Sequence, residues 1–441
     1  MAEHSLSAVP TPSRWNAAHS IAGVREMYRR GEISPEIVLE TALARANSNA
    51  GHNVYLSRDE EWSRNEARNL RRDQIDAQPL WGVPVALKDC FDLAGFATSC
   101  GSAFYRDHHG IAASDSWVAE KLRGAGAVIT GKTHLHQLAY GITGENRDFG
   151  DCLQPHNAAV LTGGSSSGSA ASVQEGSALA AIGTDTGGSI RAPAALCGVG
   201  GYRSSITMNA ERLWRGGYHL AGSFDTLGWL YRDLGDGPLL GHALFELPIA
   251  TVPAIRGLRI GTPDPRLLED CDADVLATLR AWQVRIQELD ASVGGFDAPF
   301  WSEAMAIYAP IQASEAAALH KGFFAHFEPA IAERLAVGAS IAPAELVQLR
   351  RRLSEFRAST EALFERFDFL LYPCAPVSSI AAGVDHAATR PRILRYTTPI
   401  SVAGLPVVVL PMLAAGAPAG GIQLIGPMGS DAALLALSAS L

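Results

Sequence analysis

The chain has 441 residues, of which 47% are hydrophobic and 18% charged. This composition is typical of a globular protein and excludes a disordered one, and the length allows one large domain or a few smaller ones. The formal net charge of −9 disfavours binding to nucleic acid or to an anionic membrane surface.

In the first half of the chain, helical and strand patterns alternate. Apolar spacing predicts helices over residues 18–50, with Ser34 as an N-cap and Pro35 in the first turn. A run of β-type residues predicts a strand over 83–87 that ends at Lys88. Further helices are predicted at 56–76, 113–125 and 169–180, and further strands at 126–131 and 178–183. This alternation predicts an α/β fold with a largely parallel, buried sheet.

The second half of the chain contains a long helical stretch between strand patterns. Strands are predicted at 256–262, 369–376, 405–411 and 421–426, and helices at 273–289 and through 302–368. Because strand patterns occur at both ends of the chain, we expect one α/β domain over residues 1–441. A helical insert at about residues 273–368 would pack on the same sheet.

Four of the 36 basic residues are lysines. One of them, Lys88, follows a predicted buried strand, where burial would lower its pKa and make a neutral amine available as a base. The alternative is a structural ion pair with Asp89 or Asp92. The other three are interpreted as surface or helix-end residues: Lys121, Lys132 and Lys321.

Residues 164–168, GSSSG, match the GxSxG pattern of the α/β-hydrolase nucleophile elbow, with Ser166 at its centre. The elbow requires a preceding strand, whereas the preceding residues have loop character. Two other interpretations stay open, a flexible turn and a turn that binds an anion through backbone N–H groups at a helix start.

Residues 181–191, AIGTDTGGSIR, place two glycines directly before Ser189. Such a turn lets successive backbone N–H groups converge on one point, as in an oxyanion hole, with the Ser189 hydroxyl beside the bound carbonyl. Asp185 and Arg191 flank the turn and are placed to fix it by an ion pair. The alternative is an ordinary Gly-Gly turn with a surface Ser and Arg.

Residues 161–203, LTGGSSSGSAASVQEGSALAAIGTDTGGSIRAPAALCGVGGYR, resemble the Gly/Ser-rich signature of the amidase signature family. Four other stretches resemble the lysine segment and the C-terminal elements of that family: 81–102, 369–376, 397–411 and 421–426. The resemblance covers most of residues 20–427 and is weakest near 300–368. It implies a central mixed sheet of about eleven strands with helices on both faces, and a catalytic core at about residues 75–235.

The resemblance implies a Ser–Ser–Lys catalytic set in which one serine follows a cis peptide bond. Ser189 matches the nucleophile, Ser165 the bridging serine and Lys88 the base, while Ser166 matches a supporting position. The implied oxyanion hole consists of the backbone N–H groups of Thr186, Gly187, Gly188 and Ser189. Ser167 stands where the family often has glycine. The resemblance implies no metal or other cofactor.

The implied activity is hydrolysis of a small carboxamide to a carboxylate and ammonia or an amine, through an acyl-enzyme. Residues 139–157 resemble the matching stretch of bacterial biuret and allophanate hydrolases, which favours a small polar amide; aryl and indole acetamides stay open. Candidate substrate contacts are Tyr140, Thr143, Glu145 and Arg395, with a second polar-aromatic cluster at Trp214, Tyr218 and His219. For each of these residues, packing or surface exposure is the alternative.

Two other functions stay open. One is an amidotransferase A-type subunit that releases ammonia from glutamine for tRNA-dependent amidation, which requires a partner protein. The other is a non-catalytic binding protein, which the presence of Lys88, Ser165 and Ser189 disfavours. Homodimers are common among relatives, so the resemblance leaves a homodimer open, and no nucleic-acid or membrane partner is expected.

The cysteines and the N-terminal residues bear on the cellular compartment. The six cysteines form no CxxC pair, which disfavours a zinc ribbon or a redox motif. The first residues lack the basic and apolar segments of a signal peptide, and no apolar run reaches the length of a membrane span. We therefore expect a cytoplasmic protein with free thiols.

Overall fold

The computed structural model describes residues 20–249, 255–412 and 420–441. The prediction that the chain has no signal peptide concerns its first residues, most of which lie outside these ranges. The helices of the described ranges are α1 (Ile21–Arg30), α2 (Pro35–Ser48), α3 (Glu60–Arg68), α4 (Ala103–His109), α5 (Trp117–Gly124), α6 (Ser167–Glu175), α7 (Arg191–Cys197), α8 (Gly237–Phe245), α9 (Ala273–Glu288), α10 (Ala304–Leu319), α11 (Pro329–Ser340), α12 (Pro343–Glu361), α13 (Thr389–Ala403) and α14 (Asp431–Ser438). The strands are β1 (Tyr55–Ser57), β2 (Pro84–Lys88), β3 (Val128–Thr133), β4 (Leu153–Gln154), β5 (Asn157–Leu161), β6 (Ala180–Asp185), β7 (Gly200–Arg203), β8 (Thr226–Tyr231), β9 (Arg259–Pro263), β10 (Ser292–Phe296), β11 (Phe369–Pro373), β12 (Val407–Leu410) and β13 (Ile422–Ile425).

Within the described ranges, eleven strands form one sheet in the order β1-β3-β2-β6-β8-β7-β12-β13-β11-β9-β10, and β4 pairs with β5 in a separate hairpin. The pairs β2–β3, β2–β6, β9–β11 and β9–β10 are parallel, whereas the pairs in the middle of the sheet are antiparallel. The predicted mixed sheet of about eleven strands is therefore confirmed, and the prediction of a largely parallel sheet is wrong. Parallel pairing is confined to the two outer parts of the sheet.

Both faces of the sheet are covered. In β2, Val85 and Leu87 join one apolar cluster and Ala86 joins another, because successive side chains of a strand point to opposite faces. The neighbouring strand β6 alternates in the same way, with Ile182 in the first cluster and Ala181 in the second. A strand buried on both faces needs a nearly continuous apolar run, which is the pattern that the sequence shows here.

Helix α6 packs closely on the sheet because its residues are small. All nine of its residues, SGSAASVQE, are buried. At its first turn the backbone of Gly168 approaches two neighbouring segments, donating its N–H to His134 O at 3.0 Å. A Cβ atom at Gly168 would lie 2.0 Å from Val54 O and 2.5 Å from His134 N. Glycine is therefore required here by space, and it fixes the depth at which the start of α6 lies.

Most of the predicted elements are present. Ser34 caps α2 and Pro35 occupies its first turn, as predicted. The helix expected over 56–76 is shorter, because Tyr55–Ser57 pairs with β3 instead. Several short strands have no sequence prediction, among them β7, β8 and β10. No helix in the described part of the chain combines the length and the apolarity that crossing a membrane requires.

We predict that Gly168→Ala destabilises the fold. The added methyl group overlaps backbone atoms, and overpacking a tight site costs about 1–3 kcal/mol. Urea unfolding followed by circular dichroism would measure the change. Gly124→Ala is the matched control, since a Cβ atom there meets nothing within 4 Å. Equal stability of the two variants would contradict the prediction.

Candidate active site

The topology brings the predicted base and the predicted nucleophile turn to one edge of the sheet. Strands β2 and β6 are parallel neighbours, with Val85 paired to Ala180 and Leu87 to Ile182. Both strands therefore end at the same edge, where parallel α/β sheets commonly place functional residues. Lys88 is the last residue of β2, and the turn with Ser189 follows the last residue of β6.

Lys88 is fully buried and surrounded by hydroxyl groups. Its Nζ donates to Ser165 Oγ at 2.9 Å, to Ser166 Oγ at 3.0 Å and to Thr184 Oγ1 at 2.8 Å. Burial lowers the pKa of Lys88 to about 8, and the negative charge of the more distant Asp185 only partly opposes the shift. The neutral fraction of this amine is therefore roughly a tenth at pH 7 and roughly half at pH 8.

The alternative ion pair of Lys88 with Asp89 or Asp92 is not formed. Asp89 pairs with Lys132 instead, with 2.6 Å between Lys132 Nζ and Asp89 Oδ1. The interpretation of Lys132 as a surface or helix-end residue is wrong, because β3 extends through it and its side chain is fully buried. The neighbouring strands β2 and β3 thus each bury a lysine, and the carboxylate lies beside Lys132.

The segment before α6 joins the base to the nucleophile turn. The Gly164–Ser165 peptide bond is cis, and Ser165 Oγ accepts from Lys88. The next residue, Ser166, donates its N–H to Ser189 O at 3.0 Å, and its Oγ lies 3.2 Å from Thr184 O. The nucleophile-elbow alternative is not supported, because Ser166 Oγ is buried against these groups and bonds no histidine of the described ranges.

The turn after β6 presents unbonded N–H groups. Among the described residues, none accepts a hydrogen bond from the backbone N–H of Thr186, Gly187 or Ser189. The N–H of Gly188 is engaged, since it donates to Asp185 Oδ1 at 2.9 Å. Three of the four N–H groups expected in the oxyanion hole are therefore available to a ligand, and the fourth holds the turn in place.

The two glycines of this turn are required by close contacts. A Cβ atom at Gly187 would lie 2.3 Å from Tyr308 Oη. Gly188 has a φ of +122°, and a Cβ atom there would lie 2.6 Å from Thr397 Cβ. Thr397 also donates its hydroxyl to Gly187 O. Side chains from two distant helices thus shape the turn.

Asp185 forms a buried ionic cluster with two arginines. Arg191 Nη2 and Arg203 Nη1 lie 2.8 and 2.9 Å from Asp185 Oδ1. Burial alone would raise the pKa of Asp185, but the two guanidinium groups hold it well below its usual range. Arg191 also donates to Thr397 O and to Gln423 Oε1, both at 2.8 Å. The predicted contact between Asp185 and Arg191 is present, and Arg203 is a member that the sequence analysis missed.

Ser189 opens onto a small cavity. No described residue hydrogen bonds its hydroxyl, and the free space before it is about 10 Å³, room for about one water molecule. Polar lining groups are supplied by Tyr308 and Gln312 of α10, which hydrogen bond each other through Gln312 Nε2 and Tyr308 Oη. The remaining lining residues are Ala139, Tyr140, Gly141, Ile142, Gly187, Leu220, Arg390 and Leu394.

One of the four candidate substrate contacts lines this cavity, namely Tyr140. Thr143 is buried and donates its hydroxyl to Glu145 Oε2 at 2.6 Å, and neither side chain lines the cavity. Arg395 is exposed and lies 3.3 Å from Asp270.

The helix that carries Arg395 presents another arginine to the cavity. Arg390 and Leu394 of α13 line it, and Thr397, one turn further, contacts the nucleophile turn. These three positions follow the i, i+4, i+7 spacing of one helix face, whereas Arg395 lies on another face. That periodicity is the signal that identifies Arg390.

The second candidate cluster lies beside the active-site turn. Tyr218 and His219 line a larger neighbouring cavity that shares Ala139 with the first, and the His219 ring stacks on Trp214 at 3.9 Å. His219 Nδ1 lies 2.8 Å from Asp225 Oδ2, and Asp225 Oδ1 accepts from Thr186 Oγ1 at 2.6 Å. Within residues 20–249, 255–412 and 420–441, no cluster of three His, Cys, Asp or Glu side chains has the arrangement of a metal site.

We predict that Asp185→Asn destabilises the protein strongly. The change leaves two buried guanidinium groups without a counter-ion, and breaking a buried ion pair costs about 3–5 kcal/mol. Guanidinium-chloride unfolding would measure the loss. The exposed pair Arg266–Asp264 provides the control, since Asp264→Asn is expected to change stability by less than about 1 kcal/mol. A similar, small change in both variants would contradict the prediction.

Known proteins share this fold and are similar in sequence. The sequence profile of the Amidase family matches residues 37–435. The chain is 31% identical to the A subunit of glutamyl-tRNA(Gln) amidotransferase from Roseiflexus castenholzii, with 94% of each protein covered. It is 31% identical to the AtzE subunit of 1-carboxybiuret hydrolase from Pseudomonas sp. (strain ADP), with 86% of this chain and 88% of that protein covered. Its structure is similar to a crystal structure of an amidase, with a TM-score of 0.86, 28% identity, and 96% of this chain and 98% of that chain covered. As its sequence predicts, the chain belongs to the Amidase family.

Proposed function

We propose that this chain hydrolyses the C–N bond of a small amide through an acyl-enzyme on Ser189, with Lys88 as the base and Ser165 as the proton bridge. One observation carries the proposal. Lys88 is a fully buried amine whose hydrogen bonds all go to hydroxyl groups, at the sheet edge where the unbonded Ser189 hydroxyl faces a cavity. A nucleophilic hydroxyl next to a desolvated base is the requirement for this type of catalysis.

In the first step, neutral Lys88 takes the proton of the Ser165 hydroxyl while Ser165 takes that of Ser189. The Ser189 oxygen forms a bond to the amide carbon, and the carbonyl oxygen becomes an oxyanion. In this mechanism the unbonded N–H groups of Thr186, Gly187 and Ser189 stabilise that charge, and each such donor contributes roughly a hundredfold in rate or more. Ser166 and Thr184 accept from Lys88 and hold its amine in position.

In the second step, the proton returns from Lys88 through Ser165 to the leaving nitrogen, and the C–N bond breaks. Ammonia or an amine departs, and the acyl group remains on Ser189. A water molecule then loses a proton to the same base and attacks the ester carbon, which releases the carboxylate and regenerates the Ser189 hydroxyl. Atoms and protons balance over the two steps, with the amide and one water molecule as the reactants.

The size of the cavity supports a small substrate. Pockets for drug-sized ligands occupy roughly 300–1,000 Å³, whereas the space before Ser189 is about 10 Å³, room for about one water molecule. One relative belongs to a hydrolase of 1-carboxybiuret, a small nitrogen-rich amide. We therefore propose a small polar amide as the substrate, hydrolysed by one catalytic unit that comprises the whole chain.

The similarity to amidotransferase A subunits favours a second candidate, the release of ammonia from glutamine for a partner protein. The two candidates share the Ser189 chemistry and differ in the substrate. Ammonia release from glutamine, compared with that from biuret, malonamide, acetamide and indole acetamide, separates them. Turnover of glutamine alone would assign the second function.

We predict that Ser189→Ala and Lys88→Met each lower kcat by more than roughly 1,000-fold, because one removes the nucleophile and the other removes the base. Ammonia release from the same panel of amides measures the effect. The exposed residues Ser302 and Lys321 supply the controls Ser302→Ala and Lys321→Met. Full activity in Ser189→Ala would exclude this mechanism.

We also predict that kcat/KM rises with pH through a midpoint of about 8. The amine must be neutral to accept a proton, and burial places the pKa of Lys88 at about 8, so the active fraction increases as pH increases through that value. Initial rates across a buffer series would show the midpoint. A profile that falls with rising pH in this range would contradict the assignment of Lys88 as the base.

A further inference from the structure

We propose that His219 is a positioning residue for catalysis, which acts through the carboxylate of Asp225 on Thr186 of the oxyanion hole. The inference rests on the proposed function, because it assigns to His219 an effect on the reaction at Ser189. The observation that carries it is the Thr186–Asp225–His219 relay, two side-chain hydrogen bonds that share the carboxylate of Asp225.

Asp225 lies opposite Thr186, one position beyond the hydrogen-bonded ladder between β6 and β8. The last pair of that antiparallel ladder is Asp185 with Thr226, and the same register continues to Thr186 and Asp225. Asp225 is 1% exposed, and its Oδ1 accepts from Thr186 Oγ1 at 2.6 Å. Next to it, Thr226 Oγ1 donates to Asp185 O at 2.9 Å. Two consecutive residues at the start of β8 therefore hold the end of β6 and the first residue of the nucleophile turn.

The position of Thr186 determines the direction of two of the three available N–H groups. Its Cα atom joins the peptide group that carries the Thr186 N–H to the peptide group that carries the Gly187 N–H, and neither N–H is bonded within the described chain. The first peptide group is held at its carbonyl end, because Asp185 O accepts from Arg203 Nη1 at 2.6 Å. The bond from the Thr186 hydroxyl to Asp225 holds the Cα atom from which the second begins. Since an oxyanion hole requires donors that are in place before the reaction, this bond contributes to the rate.

The other carboxylate oxygen of Asp225 faces three consecutive donors. Asp225 Oδ2 accepts from His219 Nδ1 at 2.8 Å, and from the backbone N–H groups of Leu220 and Ala221 at 2.9 and 3.0 Å. Of these three donors, His219 Nδ1 alone belongs to a side chain. A substitution at His219 therefore removes one donor from the carboxylate and leaves the two backbone donors in place, so that it alters the relay without removing Asp225.

The surroundings of His219 separate its role from that of a base. Among the histidines of the described ranges, it is the one that pairs with a carboxylate. Its ring stacks on Trp214, with 3.9 Å between the ring centroids, and its side chain is 29% exposed and lines a cavity of about 350 Å³. Lys88, in contrast, bonds Ser165 directly. Lys88 is therefore the group that exchanges protons with the serines, and His219 holds the carboxylate of Asp225 in place.

Sulfonylation of Ser189 by methanesulfonyl fluoride tests this role without knowledge of the substrate. The Ser189 oxygen forms a bond to sulfur, the sulfur–fluorine bond breaks, fluoride leaves, and the serine proton passes through Ser165 to Lys88. We expect His219→Ala to lower the limiting rate constant of labelling by roughly 10-fold, because it loses a hydrogen bond to a charged group. The reagent concentration that gives half of the limiting rate should stay the same. Mass spectrometry measures the rate, at a temperature below the Tm of every variant.

Restoring the lost donor distinguishes the relay from simple packing. His219→Asn should regain most of the rate, because the amide nitrogen of asparagine occupies the position of the imidazole Nδ1. Imidazole added to His219→Ala should restore part of the rate, since the adjoining cavity of about 350 Å³ admits the ring. His108→Ala is the matched control and should be labelled like the wild type, because His108 lines the same cavity and stacks on Phe104 instead of bonding Asp225.

A double-mutant cycle with Thr186→Val shows whether the effect of His219 passes through the Thr186 hydroxyl. Valine keeps the shape of threonine and lacks the hydroxyl, so we expect His219→Ala to change the labelling rate by less than about twofold in the Thr186→Val protein. An unchanged rate in His219→Ala alone, or the same loss in both backgrounds, would overturn the relay and leave Ser189 as the nucleophile. Absence of labelling at Ser189 in the wild-type protein would refute the proposed nucleophile, and with it the role assigned to His219.

Discussion

The carboxylate of Asp185 determines the geometry on which the rest of the active site depends. It accepts hydrogen bonds from the backbone of the turn that follows it, at Gly188 and Ile190, and from the side chains of Arg191 and Arg203. A buried carboxylate with this many donors cannot move without leaving a donor or a charge unpaired. The turn is therefore rigid before any substrate arrives, as stabilisation of an oxyanion requires.

The same cluster connects the nucleophile turn to the C-terminal half of the chain. Arg191 donates to Thr397 O of α13 and to Gln423 of β13, and Thr397 in turn donates to Gly187 O. Helix α13 also carries Arg390, which lines the cavity. The position of Arg390 relative to Ser189 is thus set by bonds that originate at Asp185.

The sequence predicts the segments that carry Lys88, Ser165 and Ser189 better than it predicts the walls of the cavity. Lys88, Ser165 and Ser189 lie on short motifs whose residue types are dictated by local chemistry, and their strands and turns follow from apolar runs and glycines. Much of the cavity wall comes from α10 and α13, where Tyr308 and Arg390 are separated by many residues from the motifs. Their convergence depends on tertiary packing, which no local pattern encodes.

The sequence analysis misses some strands for a related reason. Strands β7 and β8 are the antiparallel middle of the sheet, and β7 contains two glycines, Gly200 and Gly201. Glycine is unfavourable in isolated strands, yet a Cβ atom at Gly201 would lie 2.8 Å from Ala194 Cβ. Close packing of α7 on the sheet therefore requires glycine at this position, although glycine disfavours strand formation. For this reason the local sequence pattern does not indicate β7.

The two fully buried lysines show how partners determine the role of a residue. Lys132 has a carboxylate partner, Asp89, and also donates to Ala97 O and Thr98 Oγ1, as a structural cation does. Lys88, on the adjacent strand, has hydroxyl partners alone, so no adjacent carboxylate offsets the cost of burying its charged form. The sequence around each lysine is similar, a short apolar strand that ends near an acidic or hydroxyl residue. The difference between the two lysines therefore arises from which side chains the fold brings to each amine.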